Sequence, residues 1–388
     1  MIQSADHFSS FEAHTLLKHA IYRAYVERWA RILGKHHGRL QIVDACAGSG
    51  ADENGRPGSP VIAVIEADKA AKQMTAIRGE PVQVEVLAIE KDPARFGELA
   101  ARMSSYGGRH VARQGTLAEH ITRLERDFAN VPMLFFIDPF GLEPLQADVV
   151  RRALAGRKNE VFLLFADQAA LRHVGAADAV AEATTGPQEL DLFGEEKAPP
   201  SSTVSRASEI TGKRANEILD AAFDGMDWRE AAKAPRPRRR QAFVDLYCEL
   251  LRTFGSKHVL ALPVYDLSNA PKYHLIYATK SGRGYEVMKD SIERGWKAGF
   301  VGARAVEMMR LGTQISDVRL RELVEEHFAG WEVPWSSDQS GDVTVRRYAL
   351  QDTPAMPSQM EALKKALKPF RVPNRRDYRY SFPARAGA

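Results

Sequence analysis

The sequence predicts an α/β fold: a Rossmann-like, largely parallel sheet with helices on both faces, a helical insertion and a small α+β C-terminal region. Three observations predict it. From Leu40 to Phe165, short β-branched or aromatic runs alternate with helical patterns, the layout of strands joined by crossover helices. Two of those runs, Met133–Ile137 and Val161–Phe165, are apolar throughout, as strands covered on both faces are. The chain has 388 residues, 44% hydrophobic and 27% charged, an ordinary globular composition with enough length for two compact units.

His14 to Leu33 reads as an amphipathic helix, because Leu17, Ile21, Tyr25, Trp29 and Leu33 recur every four residues. Tyr25 and Trp29 are expected to bury their rings and keep a polar tip at the edge of that stripe. Leu40–Ala45 is a short strand running into a Gly-rich loop. Ser59 is placed to cap a helix reaching about Ala71, with Pro60 at its first position. Val82–Ile89 is a strand by its β-branched content, followed by a helix at Pro93–Ser104, a short strand at His110–Ala112 and a helix at Thr116–Phe128. Met133–Ile137 is a buried strand, Leu145–Leu154 a helix and Val161–Phe165 a further strand. The alternation then breaks. Gly175 to Arg240 is polar, carries prolines and is short of strands, so it reads as an inserted, mostly helical lobe with a loop at Lys197–Ser202. Phe243–Phe254 is helical, Val259–Val264 and His274–Thr279 pair as a hairpin, and Glu286–Lys297 is a helix. Beyond Val301 the pattern predicts a helix at Asp317–Phe328, a hairpin through Val343–Tyr348 and a basic tail. The expected divisions are an N-terminal helical segment (1–38), the Rossmann-like core (39–174), the insertion with a basic linker (175–240), a completion of the core (241–298) and an accessory region (299–388).

Two cysteines, Cys46 and Cys248, exclude a disulfide framework and a Cys-rich zinc site, and they suit a reducing cytoplasm. No apolar run approaches the roughly 20 residues of a membrane helix, and the N-terminal stretch MIQSADHFSS lacks a signal-peptide layout. A cytoplasmic location without membrane attachment is therefore expected. His173, His258 and His274 have no metal-ligand spacing, so no metal is expected. Charge is uneven. Eight basic residues stand against two acids between Glu361 and Ala388, and five of the eight residues from Lys233 to Arg240 are basic. Such clusters attract polyanions, although solvated surface is the other reading.

Three motifs carry candidate chemistry. Asp44-Ala45-Cys46-Ala47-Gly48-Ser49-Gly50 leaves an apolar strand and ends in two glycines, which let the backbone turn sharply and approach a ligand. No Gly-Lys-Ser/Thr follows, so it is not a phosphate loop. Glu90 ends the Val82–Ile89 strand, where an acid can hold ribose hydroxyls. It lies about 40 residues beyond Gly50, twice the spacing of a nicotinamide-dinucleotide fold. Asp92 is the next candidate. Asp138-Pro139-Phe140-Gly141 follows a buried strand at the edge where ligands bind. Asp138 and the Pro139 carbonyl could accept the N–H groups of an exocyclic base amine while Phe140 stacks on the ring. The bland alternatives are a strand-to-helix turn, a solvated or Lys91-paired acid, and an Asp capping a turn.

The alternation and terminal hairpin match the class I methyltransferase layout. The first motif resembles the S-adenosylmethionine loop of that class, and the third resembles the Asp-Pro-Phe-Gly of tRNA guanine-N2 dimethyltransferases. The chain as a whole, from about His14 to Asp290, resembles the three-Cys-motif partner proteins, a bacterial family with a methyltransferase-like core. The residues that carry this are His14 and Lys18, the 44–50 loop, Gly58-Ser59-Pro60, Phe136 to Gly141, Tyr273 to Thr279 and Met288-Lys289-Asp290. The family pattern has Gly-Phe where Ala45-Cys46 stand. The resemblance implies a partner protein carrying three cysteines.

The resulting expectation is an S-adenosylmethionine-dependent methyltransferase acting on an amino nitrogen, of a nucleic acid base. Asp44, Ala45, Gly48, Gly50 and Glu90 are expected to hold the cofactor, and Asp138, Pro139 and Phe140 to position the acceptor. Lys18, Arg238, Arg239, Arg240, Arg375 and Arg376 are expected on the substrate or its phosphates. His14 and Lys18 share a helix face that either reaches the cofactor mouth or lies exposed; Asp52 and Glu53 fit a solvated loop, and Cys46 a small buried residue. One alternative is a catalytically silent partner that kept the fold and binds nucleic acid or a three-Cys-motif protein. Another is a methyltransferase for a small molecule or a protein.

Overall fold

The computed structural model describes residues 6–184, 206–265, 268, 270–337, 342–373 and 378–384. Helix α1 (Asp6–Gly34) leads into five strand-helix units. Their strands are β1 (Arg39–Asp44), β2 (Gln83–Glu90), β3 (His110–Gln114), β4 (Met133–Ile137) and β5 (Glu160–Phe165). The linking helices are α2 (Ser59–Arg78), α3 (Pro93–Ser104), α4 (Leu117–Asp127) and α5 (Ala147–Ala155). Four helices follow: α6 (Asp167–Thr184), α7 (Arg206–Ala222), α8 (Trp228–Lys233) and α9 (Arg236–Thr253). The hairpin of β6 (His258–Tyr265) and β7 (Pro271–Thr279) then leads to α10 (Gly282–Lys297) and α11 (Ala303–Thr313). The chain ends in α12 (Asp317–His327), β8 (Glu332–Pro334), α13 (Val345–Gln351), α14 (Met360–Ala366) and β9 (Arg379–Ser381).

Seven strands form one sheet in the order β3-β2-β1-β4-β5-β7-β6. The first five are parallel, and β7 runs antiparallel to both β5 and β6. The expected α/β sheet with helices on both faces is what the structure contains. Strand alternation splits the side chains between two layers. Ile42, Leu134 and Phe136 pack towards α1, α2 and α10, while Val43, Phe135 and Ile137 pack towards α4, α5, α6 and α9. The strand order reverses between β1 and β4, and this is where an open parallel sheet leaves a crevice for ligands.

Several local expectations are corrected. The helix after the first loop is capped by Gly58, not Ser59, and it runs past Ala71 to Arg78. Ser59 is drawn into the interior instead, beside Asp44. Tyr25 and Trp29 keep no wet tip, because α10 and the sheet cover that stripe. The Tyr25 hydroxyl donates to Glu160, whose other oxygen accepts from Thr279 at 3.0 Å. The basic run at Lys233–Arg240 is not a linker: Arg236 to Arg240 form the opening of α9. No hairpin spans Val343–Tyr348. Thr344 accepts a hydrogen bond from the Arg347 amide (3.1 Å) and caps α13, while β8 pairs with the distant β9. The 197–202 loop lies outside the described residues.

Two contacts join the layers closely. Gly295 of α10 lies against α1 so tightly that a Cβ there would stand 2.5 Å from Ile21 Cγ1. Lys289 of α10 is fully buried and donates to the Leu350 carbonyl in the last turn of α13 (2.8 Å) and to the Thr353 carbonyl just beyond it (2.6 Å). The C-terminal elements have a hydrophobic core of their own, including Leu320, Phe328, Val333, Leu350, Leu363 and Tyr380.

Candidate active site

Asp44 ends β1, Glu90 ends β2 and Asp138 follows β4, so three neighbouring strands deliver three acids to one sheet edge. The loop after β1 is stitched to both neighbours: the Ala45 N–H donates to the Phe136 carbonyl (2.8 Å) and the Ala47 N–H to that of Ile89 (2.9 Å). The chain then turns through Gly48 (φ +60°) and Gly50 (φ +81°), conformations that glycine adopts without steric cost. That turn aims the Gly48 N–H at Glu90 Oε2 (2.8 Å).

Asp44 is completely buried and neither of its oxygens makes a hydrogen bond of good geometry. Burial pushes its carboxyl up to about 7, with the Asp138 charge adding to the shift. The Ser59 hydroxyl, the Cys46 amide and Lys18 act in the opposite direction. Asp138 is partly exposed, and its carboxylate pairs with the ammonium of Lys18, reached across from α1. Glu90 is buried, its oxygens accepting from the Gly48 and Asp92 amides at 2.8 Å each. Phe140 is 89% exposed, with the Arg95 guanidinium over its ring at 5.7 Å. Arg95 also stands 3.6 Å from Glu90, which links the ends of β2 and β4 along one rim.

Cys46 reports the convergence. Burial is the main cause that raises its thiol, and the charges of Asp44, Asp138 and Glu90 all add to it. The thiol therefore stays protonated, which removes it as a nucleophile.

Side chains the sequence reading missed complete the site, most of them from α1. Tyr22 stacks on Phe136 (4.2 Å) and its buried hydroxyl has no hydrogen-bond partner. Burial and the Asp44 charge raise its pKa. His19 is lowered to about 4, first by burial and then by Lys18, so it is neutral at physiological pH. The Tyr273 hydroxyl donates to the His14 carbonyl (3.1 Å). The signal available was the four-residue spacing of His14 and Lys18, which continues to Tyr22.

The predicted basic residues do not converge there. Lys18 is not an exposed phosphate ligand but the partner of Asp138. Arg238 is exposed on α9, and Arg239 donates to the Ala234 carbonyl (3.1 Å). Arg240 donates to the Pro271 carbonyl (2.9 Å) and lies 3.6 Å from Asp167, which pairs with His274 at 2.8 Å. Arg375 and Arg376 lie outside the described residues. Asp52 closes its own loop by accepting from the Asn54 and Arg56 amides (3.0 and 2.7 Å). Among the described residues no group of three His, Cys, Asp or Glu is arranged to hold a metal ion, and no helix is long and apolar enough to cross a membrane. Two surface grooves, of about 810 and 670 Å³, lie away from the acids, one against α2 and β2, the other between α9 and β6.

A sheet in this order, with one antiparallel strand beside β5, a glycine turn after β1 and acids at the ends of β1 and β2, defines a class I methyltransferase fold. No protein-family model and no curated protein matches the chain. Among solved structures it is similar to a Klebsiella pneumoniae protein provisionally assigned as an O-methyltransferase, at 12% identity and a TM-score of 0.31. That likeness covers 69% of this chain and 90% of the other. An SAH-bound methyltransferase of Podospora anserina is similar at 11% identity and 0.29, over 72% and 96%. A geranyl diphosphate methyltransferase in complex with SAM is similar at 14% and 0.26, over 70% and 85%. At these scores the likenesses add nothing to the strand order itself.

Proposed function

We propose that the protein is an S-adenosylmethionine-dependent methyltransferase acting on an amino nitrogen, with a nucleic acid base as acceptor. The observation that carries this reading is the Asp44 carboxylate, fully buried at the switch point of the sheet with no hydrogen bond of good geometry, only the nearby Ser59 hydroxyl and Cys46 amide beside it. An unpaired buried carboxylate is costly, and a ligand ammonium would relieve it. Space is also open over Gly48, where an added Cβ would meet nothing within 4 Å. Asp44 would hold the amino group of S-adenosylmethionine, and the Ala45–Gly50 turn would let it approach the backbone. Glu90 would take the ribose hydroxyls, since a carboxylate accepting two amides has lone pairs left.

When bound, S-adenosylmethionine supplies a methyl group on a sulfonium, open to attack by a nitrogen lone pair. Asp138 and the Pro139 carbonyl would accept the acceptor's N–H groups and turn its lone pair towards the donor, and exposed Phe140 would stack on its ring. Positioning of this kind supplies much of a bimolecular barrier reduction. Lys18 already engages one Asp138 oxygen, so an acceptor N–H would share that carboxylate with the ammonium.

A second reading is a silent partner of nucleic acid or of a three-Cys-motif protein. It is favoured by the Lys18–Asp138 pair, by the Glu90 oxygens already bound by their own chain, and by Ala45-Cys46 standing where the resembled family has Gly-Phe. Calorimetric titration separates the two. Saturable heat with S-adenosylmethionine and S-adenosylhomocysteine is expected; no heat with either, where a reference methyltransferase binds, would leave only the silent partner.

A further inference from the structure

The seven-stranded sheet ends in two edges of different character. β3, at one edge, is five residues long and carries the exposed Arg113 and Gln114. The Gln114 carbonyl accepts from the His120 ring at 2.9 Å. Short, charged edge strands resist pairing with another chain. β6, at the other edge, is eight residues long and reads His-Val-Leu-Ala-Leu-Pro-Val-Tyr. Among the described residues its backbone bonds only to β7, so its outer N–H and C=O groups have no partner. A groove of about 670 Å³ lies along this edge, lined by Leu246 of α9, Val259 and Ala261 of β6, and Gly312 of α11. Leu311, next to Gly312, is exposed. Pro263 offers no N–H, and its ring lies so close to Gly312 that a Cβ there would stand 2.7 Å from Pro263 Cγ. The stretch left for pairing is therefore 259–262.

We propose that a second copy of this chain covers the groove, with the two β6 strands pairing antiparallel across a twofold axis normal to the sheet. Such a contact is isologous, so one surface has to complement itself. The charges along α9 meet that condition. The turn at 254–257 brings the chain from α9 back along β6, so helix and strand run in opposite directions. Asp245 and Arg252, both exposed and both on the groove, then stand towards opposite ends of the 259–262 stretch. A twofold through the middle of that stretch sets Asp245 of one copy against the partner's Arg252, and the reverse. Leu246 of each copy closes over the apolar residues of the other strand. Glu249, between the two charges, pairs with Arg252 of its own chain at 3.1 Å, which limits repulsion across the axis. A slip in register would separate both charge pairs. A purely basic peptide would face Arg252 with like charge, and an acidic one would face Asp245 and Glu249. The mixed order on α9 fits a copy of itself. Because the paired strands are antiparallel, the sheet edges carrying Asp44, Glu90 and Asp138 open in opposite directions, and neither copy completes the site of the other.

This surface lies away from the three acids, and its pairing does not rest on the methyltransferase reading. The test is sedimentation equilibrium of the full chain over a range of concentrations, which should show a species of twice the chain mass. Asp245→Arg and Arg252→Asp, each at an exposed side chain, should weaken association about tenfold or more. The double variant Asp245→Arg/Arg252→Asp should restore it to within about threefold of the wild type. Hydrogen exchange on the wild-type chain gives a second readout that needs no variant. Amides in 259–262 should gain protection as concentration rises, while those of β3 stay constant. A chain that remains monomeric at about 0.1 mM, charge reversals that leave association unchanged, a double variant as weak as the single ones, or protection gained at β3 would each overturn the proposal.

Discussion

Asp44 titrates near 7 in the folded chain, against 3.8 for an ordinary aspartate, because burial penalises its charge and Asp138 stands nearby. Between those two values the folded state holds a proton that the unfolded chain has released. The stability this confers is complete below about pH 3.8 and is lost as pH rises through about 7. Ligand binding should show the opposite trend, because a cationic amine needs the ionised carboxylate. Affinity for S-adenosylmethionine is expected to climb between about pH 6 and 8. Asp44→Asn should bind more weakly and flatten that climb in calorimetry at several pH values. A wild-type affinity indifferent to pH would remove Asp44 from the ammonium site.

At the scale of elements, α1 does two jobs along its length. Its later turns are structural: Tyr25 and Trp29 are buried, and Glu160 of β5 joins the Tyr25 hydroxyl to Thr279. Its earlier turns bring Lys18, His19 and Tyr22 over the acids. The crossing with α10 sets that placement, and Gly295 is what lets the two helices approach. Gly295→Val should therefore destabilise the fold by about 1–3 kcal/mol through overpacking against Ile21, read from urea unfolding. An unchanged midpoint would mean that the helices have room to separate and that this glycine does not set the crossing.

In the whole molecule, α10 connects the sheet to the C-terminal unit through Glu286, Glu293 and one buried amine, that of Lys289. Burial lowers the Lys289 pKa from 10.5 to about 7, against the attraction of Glu286 and Asp352. Between these values the unfolded chain binds the extra proton, so stability rises with pH there. The contribution is complete above about 10.5 and lost as pH falls through about 7. Urea unfolding, or protease release of the C-terminal unit, should show resistance increasing from about pH 7 to 9. Lys289→Met should remove most of that increase. A variant with the same pH slope as the wild type would place the titrating group elsewhere.

From α1 to α10 the order of strands and helices, together with the glycine turn after β1 and the three acids at strand ends, was legible along the chain; beyond Val301 only α12 was, since α14 and β9 lie where a basic tail was expected. Each depends on local rules: periodicity, β-branched content, and residues suited to a turn. Even the Val343–Tyr348 error was local, since Thr344 carried a capping signal that strand-like alternation obscured. Other features depended on partners far away in the chain. Lys18 meets Asp138 across 120 positions, and Arg240 turns inward to Asp167 and Pro271 instead of outward to phosphate. The antiparallel insertion of β7 beside β5, and the pairing of β8 with β9 around a second core, likewise needed folded coordinates. Sequence spacing decides which face or strand end a residue occupies; only packing decides which charge it meets there, because burial and the nearest counter-charge are properties of the assembled layers.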